Sequence, residues 1–222
     1  MIELNNLVYR DLKIPELKIP EGLCAIFGPN GSGKSTLLQL LAGMELPERG
    51  TVLIDGSSPR DIECGYLSEF PDKNIIFERV EDEISSPLKF RHTDCTETRE
   101  ILSHITEKLG ITRLSGKKIM KLSGGEKVLV ALATAISAKP DLLVLDEADS
   151  HLDSLTAEEI FDIVRDLQIQ HVVFCTQNME RVRDIAGFAI YMEHCRIAIS
   201  GDTPYVLEKL RGTCFHPGNA EQ

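Results

Sequence analysis

The run Gly28-Pro29-Asn30-Gly31-Ser32-Gly33-Lys34-Ser35-Thr36 leaves this chain few folds to choose from. It fits the pattern G-x-x-x-x-G-K-[ST], a phosphate-binding loop. Backbone N–H groups in such a loop turn inward onto phosphate oxygens, and glycines are needed where a side chain would block that approach. Lys34 can reach the β- and γ-phosphates of a nucleotide, and the Ser35 hydroxyl can bind Mg²⁺. The flanks agree with this. Leu23-Cys24-Ala25-Ile26-Phe27 is an apolar run of strand type, and the helical run from Ser35 to Ala42 is closed by Gly43.

Periodicity extends the argument to the rest of the chain. Strand-like runs lie at 2–9, 23–27, 51–54, 142–146, 172–176, 188–192 and 196–200. Helical patterns lie at about 35–42, 98–109, 124–138, 155–167, 179–186 and 203–210. Strands alternating with helices imply an α/β fold around a parallel sheet. The first runs, to about residue 54, read as an antiparallel β layer, and residues from about 80 to 136 read as a helical insertion. One domain over 1–212 is expected, with a frayed polar tail at 213–222.

Composition narrows the function. With 24 Lys and Arg against 35 Asp and Glu, the net charge is −11, which argues against a broad nucleic-acid surface. There is no apolar run long enough to cross a membrane, and the start Met1-Ile2-Glu3-Leu4-Asn5 has no signal-peptide character. The six cysteines are scattered without a C-x-x-C pair, so free thiols in a reducing compartment are expected rather than disulfides or a metal site.

Two further motifs carry chemistry. Leu142-Leu143-Val144-Leu145-Asp146-Glu147 is an apolar strand ending in two carboxylates. In phosphate-loop enzymes the first supports Mg²⁺ and the second can orient or activate water. Leu122-Ser123-Gly124-Gly125-Glu126 opens a helix, with Ser123 as N-cap and Glu126 completing a capping box. A bare helix N-terminus is also an anion site, and two glycines leave room for one.

With these three motifs in hand, the chain resembles the ATP-binding cassette (ABC) ATPases over essentially its whole length. The resemblance implies a P-loop NTPase with a RecA-like core, an antiparallel β-subdomain and an inserted α-helical subdomain. It implies that Ser123-Gly124-Gly125 form the signature motif, which binds the γ-phosphate of ATP held by a second ABC ATPase subunit arranged head to tail. Ser150-His151-Leu152-Asp153 would form the D-loop, with His151 a surface residue, and Tyr9 would stack on adenine. The segment from Gly65 through Ser68-Glu69-Phe70-Pro71-Asp72 to Ile84 is similar to the Q-loop region of cobalt and energy-coupling-factor transporter ATPases. That likeness implies an importer subunit at the inner face of the cell membrane, docked on a separate transmembrane subunit. The six acids within 69–83 would form a groove for an arginine of that subunit. The chain ends soon after the core, without the long C-terminal extension of many energy-coupling-factor ATPases.

The chain departs from the family pattern at its own nucleotide. Glu69 replaces a glutamine that contacts Mg²⁺ and water, and it can itself ligate Mg²⁺. Gln177, within Thr176-Gln177-Asn178, replaces a histidine and can donate only a neutral N–H. Asp146, Ser35 and Glu69 are therefore the expected metal residues, and Glu147, Glu69 and Gln177 the catalytic ones. Hetero- and homodimer both remain open, as does the imported substrate. A soluble ABC-type ATPase, such as an iron–sulfur assembly subunit, and an ATP-gated regulatory subunit are the alternatives. Chromosome-maintenance relatives are excluded, because Leu122 follows Lys34 by only 88 residues and leaves no room for coiled-coil arms.

Overall fold

The computed structural model describes residues 1–73, 75–150 and 152–212. Two sheets share the work. β1 (Ile2–Tyr9), β2 (Leu12–Ile19) and β4 (Arg49–Ile54) form an antiparallel layer in the order β2-β1-β4. β3 (Gly22–Phe27), β5 (Cys64–Leu67), β6 (Leu142–Asp146), β7 (His171–Cys175), β8 (Phe188–Glu193) and β9 (Arg196–Asp202) form the main sheet, ordered β5-β6-β7-β3-β8-β9. Every pairing in the main sheet is parallel except β8 with β9. The expected α/β class and parallel core are borne out. One detail is corrected: the run at 23–27 joins the main sheet, not the antiparallel layer, because β3 pairs with β7 and β8.

The inner strands of the main sheet, β6, β7, β3 and β8, are buried on both faces, which explains why they read as unbroken apolar runs. Successive side chains point to opposite faces. Cys24, Ile26, Leu142, Val144, Val173 and Cys175 pack toward the antiparallel layer and α1 (Lys34–Leu41). Ala25, Phe27, Leu143, Leu145, Val172 and Phe174 pack toward the remaining helices. These are α2 (Val80–Phe90), α3 (Cys95–Lys108), α4 (Gly124–Ser137), α5 (Ser154–Asp166), α6 (Met179–Ile185) and α7 (Thr203–Gly212). Cys24 and Cys175 are buried free thiols, and burial pushes both well above the usual thiol range. The tail at 213–222, including Cys214, lies outside the described residues, as does His151.

Three elements escaped the sequence reading. β2 contains Pro15, yet it is an edge strand, where a missing N–H costs no ladder bond. Pairing passes from Asn5↔Glu16 to Leu7↔Ile14, with Asn6 at φ 48°. α2 contains Pro87, which reads as a breaker. It forms because Val80, Ile84 and Leu88 recur at four-residue spacing and are buried, and because Glu81, Asp82 and Glu83 favour the positive end of the helix dipole. β5 is only four residues long, and a Cβ on its Gly65 would stand 2.3 Å from Ala135 O of α4.

Candidate active site

The phosphate-binding loop runs from the end of β3 into α1. Gly28 allows it to pass close to β8: a Cβ there would meet Met192 O at 2.1 Å. Gly33 is the N-cap of α1 at φ 94°, in the left-handed region that favours glycine. The first intrahelical bond joins Leu37 N–H to Gly33 O (2.9 Å), so the preceding N–H groups have no helical acceptor. Ser32 is buried, and among the described residues its hydroxyl has no hydrogen-bond partner. An anion at the loop would satisfy both kinds of donor. Lys34 is only 5% exposed and folds back, donating to Gly28 O (3.0 Å) and Pro29 O (3.1 Å).

The loop meets the end of β6 across α1. Ser35 Oγ donates to Asp146 Oδ1 (3.0 Å), and Tyr66 Oη donates to Asp146 Oδ2 (3.0 Å). Burial pushes the Asp146 carboxyl above the usual range, partly offset by these two donors. Glu147 follows, with an oxygen 4.0 Å from Lys34 Nζ. Gln177 Nε2 lies 3.2 Å from each Glu147 oxygen and 3.3 Å from Asn30 Oδ1. Glu69, Glu147 and Gln177 line one cleft of about 460 Å³. The three residues expected from the sequence to be catalytic are thus brought together from loops after β5, β6 and β7.

Other expected residues stand differently. Tyr9, at the end of β1, is largely buried in the core beneath the antiparallel layer, and the Arg10 guanidinium lies over its ring at 5.0 Å. Ser123 caps α4, accepting from Glu126 N–H (3.2 Å), while Glu126 accepts from Ser123 N–H (3.0 Å). That backbone bond, with Arg113 alongside, holds the Glu126 carboxyl below the usual range. Among the described residues no hydrogen bond or ion pair joins Ser123, Gly124 or Gly125 to the phosphate loop. Gly125 packs instead against α5, where a Cβ would meet Thr156 Cγ2 at 2.9 Å.

The acid-rich segment is less open than its composition suggests. Asp72 pairs with Lys127, Glu78 with Lys118, and Asp82 with Lys89. Glu83 is buried and accepts from Ile76 and Phe77 N–H. Four of the six acids have partners within the chain.

The sequence reading missed Tyr66, Asp149 and Arg181. Tyr66 sits in an unrecognised strand. Asp149 accepts from Thr176 Oγ1 (2.8 Å) and pairs with Arg181, a contact that bridges separate loops and leaves no local signal.

Fold and site together define a nucleotide-hydrolysing enzyme of the phosphate-loop class, with a β layer on one face of its sheet and a helical insertion on the other. Residues 12–150 match the family model described as ABC transporter, and the chain belongs to that family. It is similar to the tungstate uptake system ATP-binding protein TupC of Peptoclostridium acidaminophilum, at 32% identity over 84% of this chain and 89% of that one. It is 32% identical to the energy-coupling factor transporter ATP-binding protein EcfA1 of Mycoplasmopsis pulmonis, over 90% of this chain and 80% of that one. Among solved structures, cbiO1 of Clostridium perfringens, part of the ABC transporter complex cbiONQ, superposes with a TM-score of 0.85 at 25% identity, covering 96% of this chain and 93% of cbiO1. The dimeric cassette MJ0796, in a post-hydrolysis state bound to ADP and Pi, superposes with a TM-score of 0.78 at 25% identity, covering 91% of this chain and 99% of that one. The chain is an ATP-binding, ATP-hydrolysing cassette of the ABC transporter family, and the resemblance to energy-coupling-factor ATPases is borne out.

Proposed function

We propose that this chain is the ATP-hydrolysing subunit of an importer, acting at the inner face of the cell membrane on a separate transmembrane subunit. The observation that carries the reading is the convergence of Lys34 and Gln177 on Glu147, with Gln177 also donating to Asn30 of the phosphate loop. The relatives named for uptake and for energy coupling support the importer role.

Gly28 to Thr36 hold the phosphates through backbone N–H groups and Lys34. Oxygen donors suit Mg²⁺, which is commonly held by one or two carboxylates together with substrate phosphates. Ser35 and Asp146, already side by side, fit that role, with Glu69 nearby on the cleft. Bound Mg²⁺ would neutralise charge on the terminal phosphates. Glu147 orients the attacking water and accepts its proton as the water oxygen bonds to the γ-phosphorus and the bond to the ADP oxygen breaks. Gln177 donates a neutral N–H toward the same region. Tyr9 is proposed to stack on the base through the ring face that Arg10 covers.

Among the described residues no hydrogen bond or ion pair joins Ser123, Gly124 or Gly125 to the chain's own phosphate loop, which suits service to ATP held by a second cassette. The dimeric state of MJ0796 supports that arrangement. We read residues 1–212 as one cassette with a helical subdomain at about 80–136.

Purification from detergent-solubilised membranes tests the reading. A stable complex with a membrane protein, whose presence stimulates ATP hydrolysis, is expected. Hydrolysis with no membrane partner would favour a soluble ABC-type ATPase. MgATP binding without turnover would favour a regulatory subunit.

A further inference from the structure

Glu147 adopts φ 48°, in the left-handed region. That conformation is costly for a residue with a side chain and persists only where its surroundings hold it. Two backbone bonds contribute: Glu147 N–H donates to Cys175 O (3.2 Å), and Ser150 N–H donates to Glu147 O (3.0 Å). The third restraint is a side chain. Asp149, two residues on, accepts from Thr176 Oγ1 (2.8 Å) and pairs with the Arg181 guanidinium. Both members of the ion pair are 8% exposed. Arg181 is fixed in turn, lying over the Phe161 ring at 4.8 Å and carried on α6, whose N-cap is Asn178.

Thr176 directly precedes Gln177, so one buried carboxylate fastens the turn that carries Glu147 to the turn that carries Gln177. Asp149, Thr176 and Arg181 also line the cleft that holds Glu147 and Gln177, and a largely buried charge held by a hydroxyl and a guanidinium loses strong, charge-assisted partners if it drifts. Water positioning tolerates little displacement of the group that does it. Nucleotide affinity rests elsewhere, on the loop backbone, Lys34, Ser35 and Asp146.

We propose that Asp149 is a positioning residue for ATP hydrolysis: held by Thr176 and Arg181, it sets the Glu147 carboxylate and the Gln177 amide against each other. This rests on the ATP-hydrolysing reading above.

The test uses the full chain in its assembled form, comparing ATP affinity by titration with single-turnover hydrolysis at saturating MgATP. Asp149→Asn is expected to slow hydrolysis about tenfold or more while ATP affinity stays within about threefold, the pattern of an interaction that matters only in the transition state. Arg181→Lys keeps the charge and should recover most of the parent rate, whereas Arg181→Met should not. Thr176→Val leaves the ion pair in place but removes the hydroxyl that donates to Asp149 and accepts from Asn178 N–H; with folding checked by thermal melting, it should slow hydrolysis about threefold while ATP affinity holds. Parent-like hydrolysis in Asp149→Asn or Thr176→Val would overturn the proposal. So would affinity and rate falling in parallel, or equal rates for the two Arg181 variants. A parent chain that binds ATP without hydrolysing it would instead overturn the underlying reading, and this inference with it.

Discussion

The Gln177 amide nitrogen stands 3.2 Å from both oxygens of Glu147, so the residue at the histidine position of the family pattern directly grips the carboxylate we propose to activate water. An amide can donate to Glu147 but cannot become positively charged. Glu69, on the same cleft, adds a carboxylate where the family pattern has a neutral amide. Both features disfavour charge building up on the transferring phosphoryl group. The double variant Glu69→Gln with Gln177→His should therefore raise kcat with little change in ATP affinity. One good donor in such a site is worth about 2.7–4 kcal/mol, so the gain should be at least tenfold. The two effects will not simply add, since both residues line one cleft and are proposed to act on the same phosphate. Steady-state ATPase kinetics on the reconstituted dimer decides it, with the partner's glutamate neutralised if the dimer is mixed. A double variant no faster than the parent would show both residues to be competent substitutes.

Lys34→Ala should weaken MgATP binding. The amine is buried and bonded to Gly28 O and Pro29 O, so it is already aimed at the mouth of the loop. Losing a charge-assisted contact costs about 1.5–3 kcal/mol, or roughly ten- to 150-fold in affinity. Isothermal titration measures this, and near-equal affinities would remove the phosphate-loop assignment.

Glu147→Gln keeps the shape of the site and the approach of Gln177 while abolishing the base. ATP should then hold the proposed head-to-tail dimer for longer. Size exclusion with and without MgATP checks it, and an assembly state indifferent to ATP, alone or with a candidate partner cassette, would count against the dimer.

Asp146→Asn should raise the stability of the nucleotide- and magnesium-free chain at neutral pH while abolishing turnover. Burial raises the Asp146 carboxyl in the folded state. The folded chain therefore binds this proton more tightly than the unfolded chain. Stability from this group falls as pH rises from the unfolded carboxyl value through the raised folded one, and stays lost at neutral pH. Asparagine carries no charge to desolvate and can still meet Ser35 and Tyr66. Thermal unfolding in EDTA between pH 4 and 8 gives the comparison. A variant less stable than the parent throughout would show the carboxylate to be structurally favourable here.

What the sequence by itself determined was what can be expressed in a few consecutive residues. The glycines and lysine of 28–36, the strand ending in Asp146 and Glu147, and the Ser123–Glu126 capping box are each set by local geometry, and each holds in the structure. Apolar runs likewise sufficed for β3, β6, β7 and β8, the inner strands of the main sheet, though not for the four-residue edge strand β5. Tertiary structure alone decided the rest. Pro15 and Pro87 obscured β2 and α2, since whether a missing N–H matters depends on neighbours far along the chain. The acids near Glu69 acquired partners from 118 and 127 that no local pattern announces. Gln177 met Glu147, and Asp149 met Arg181, because β6 and β7 lie side by side and end at the same level. Those contacts span about thirty residues, and only the closed sheet brings them within hydrogen-bonding distance.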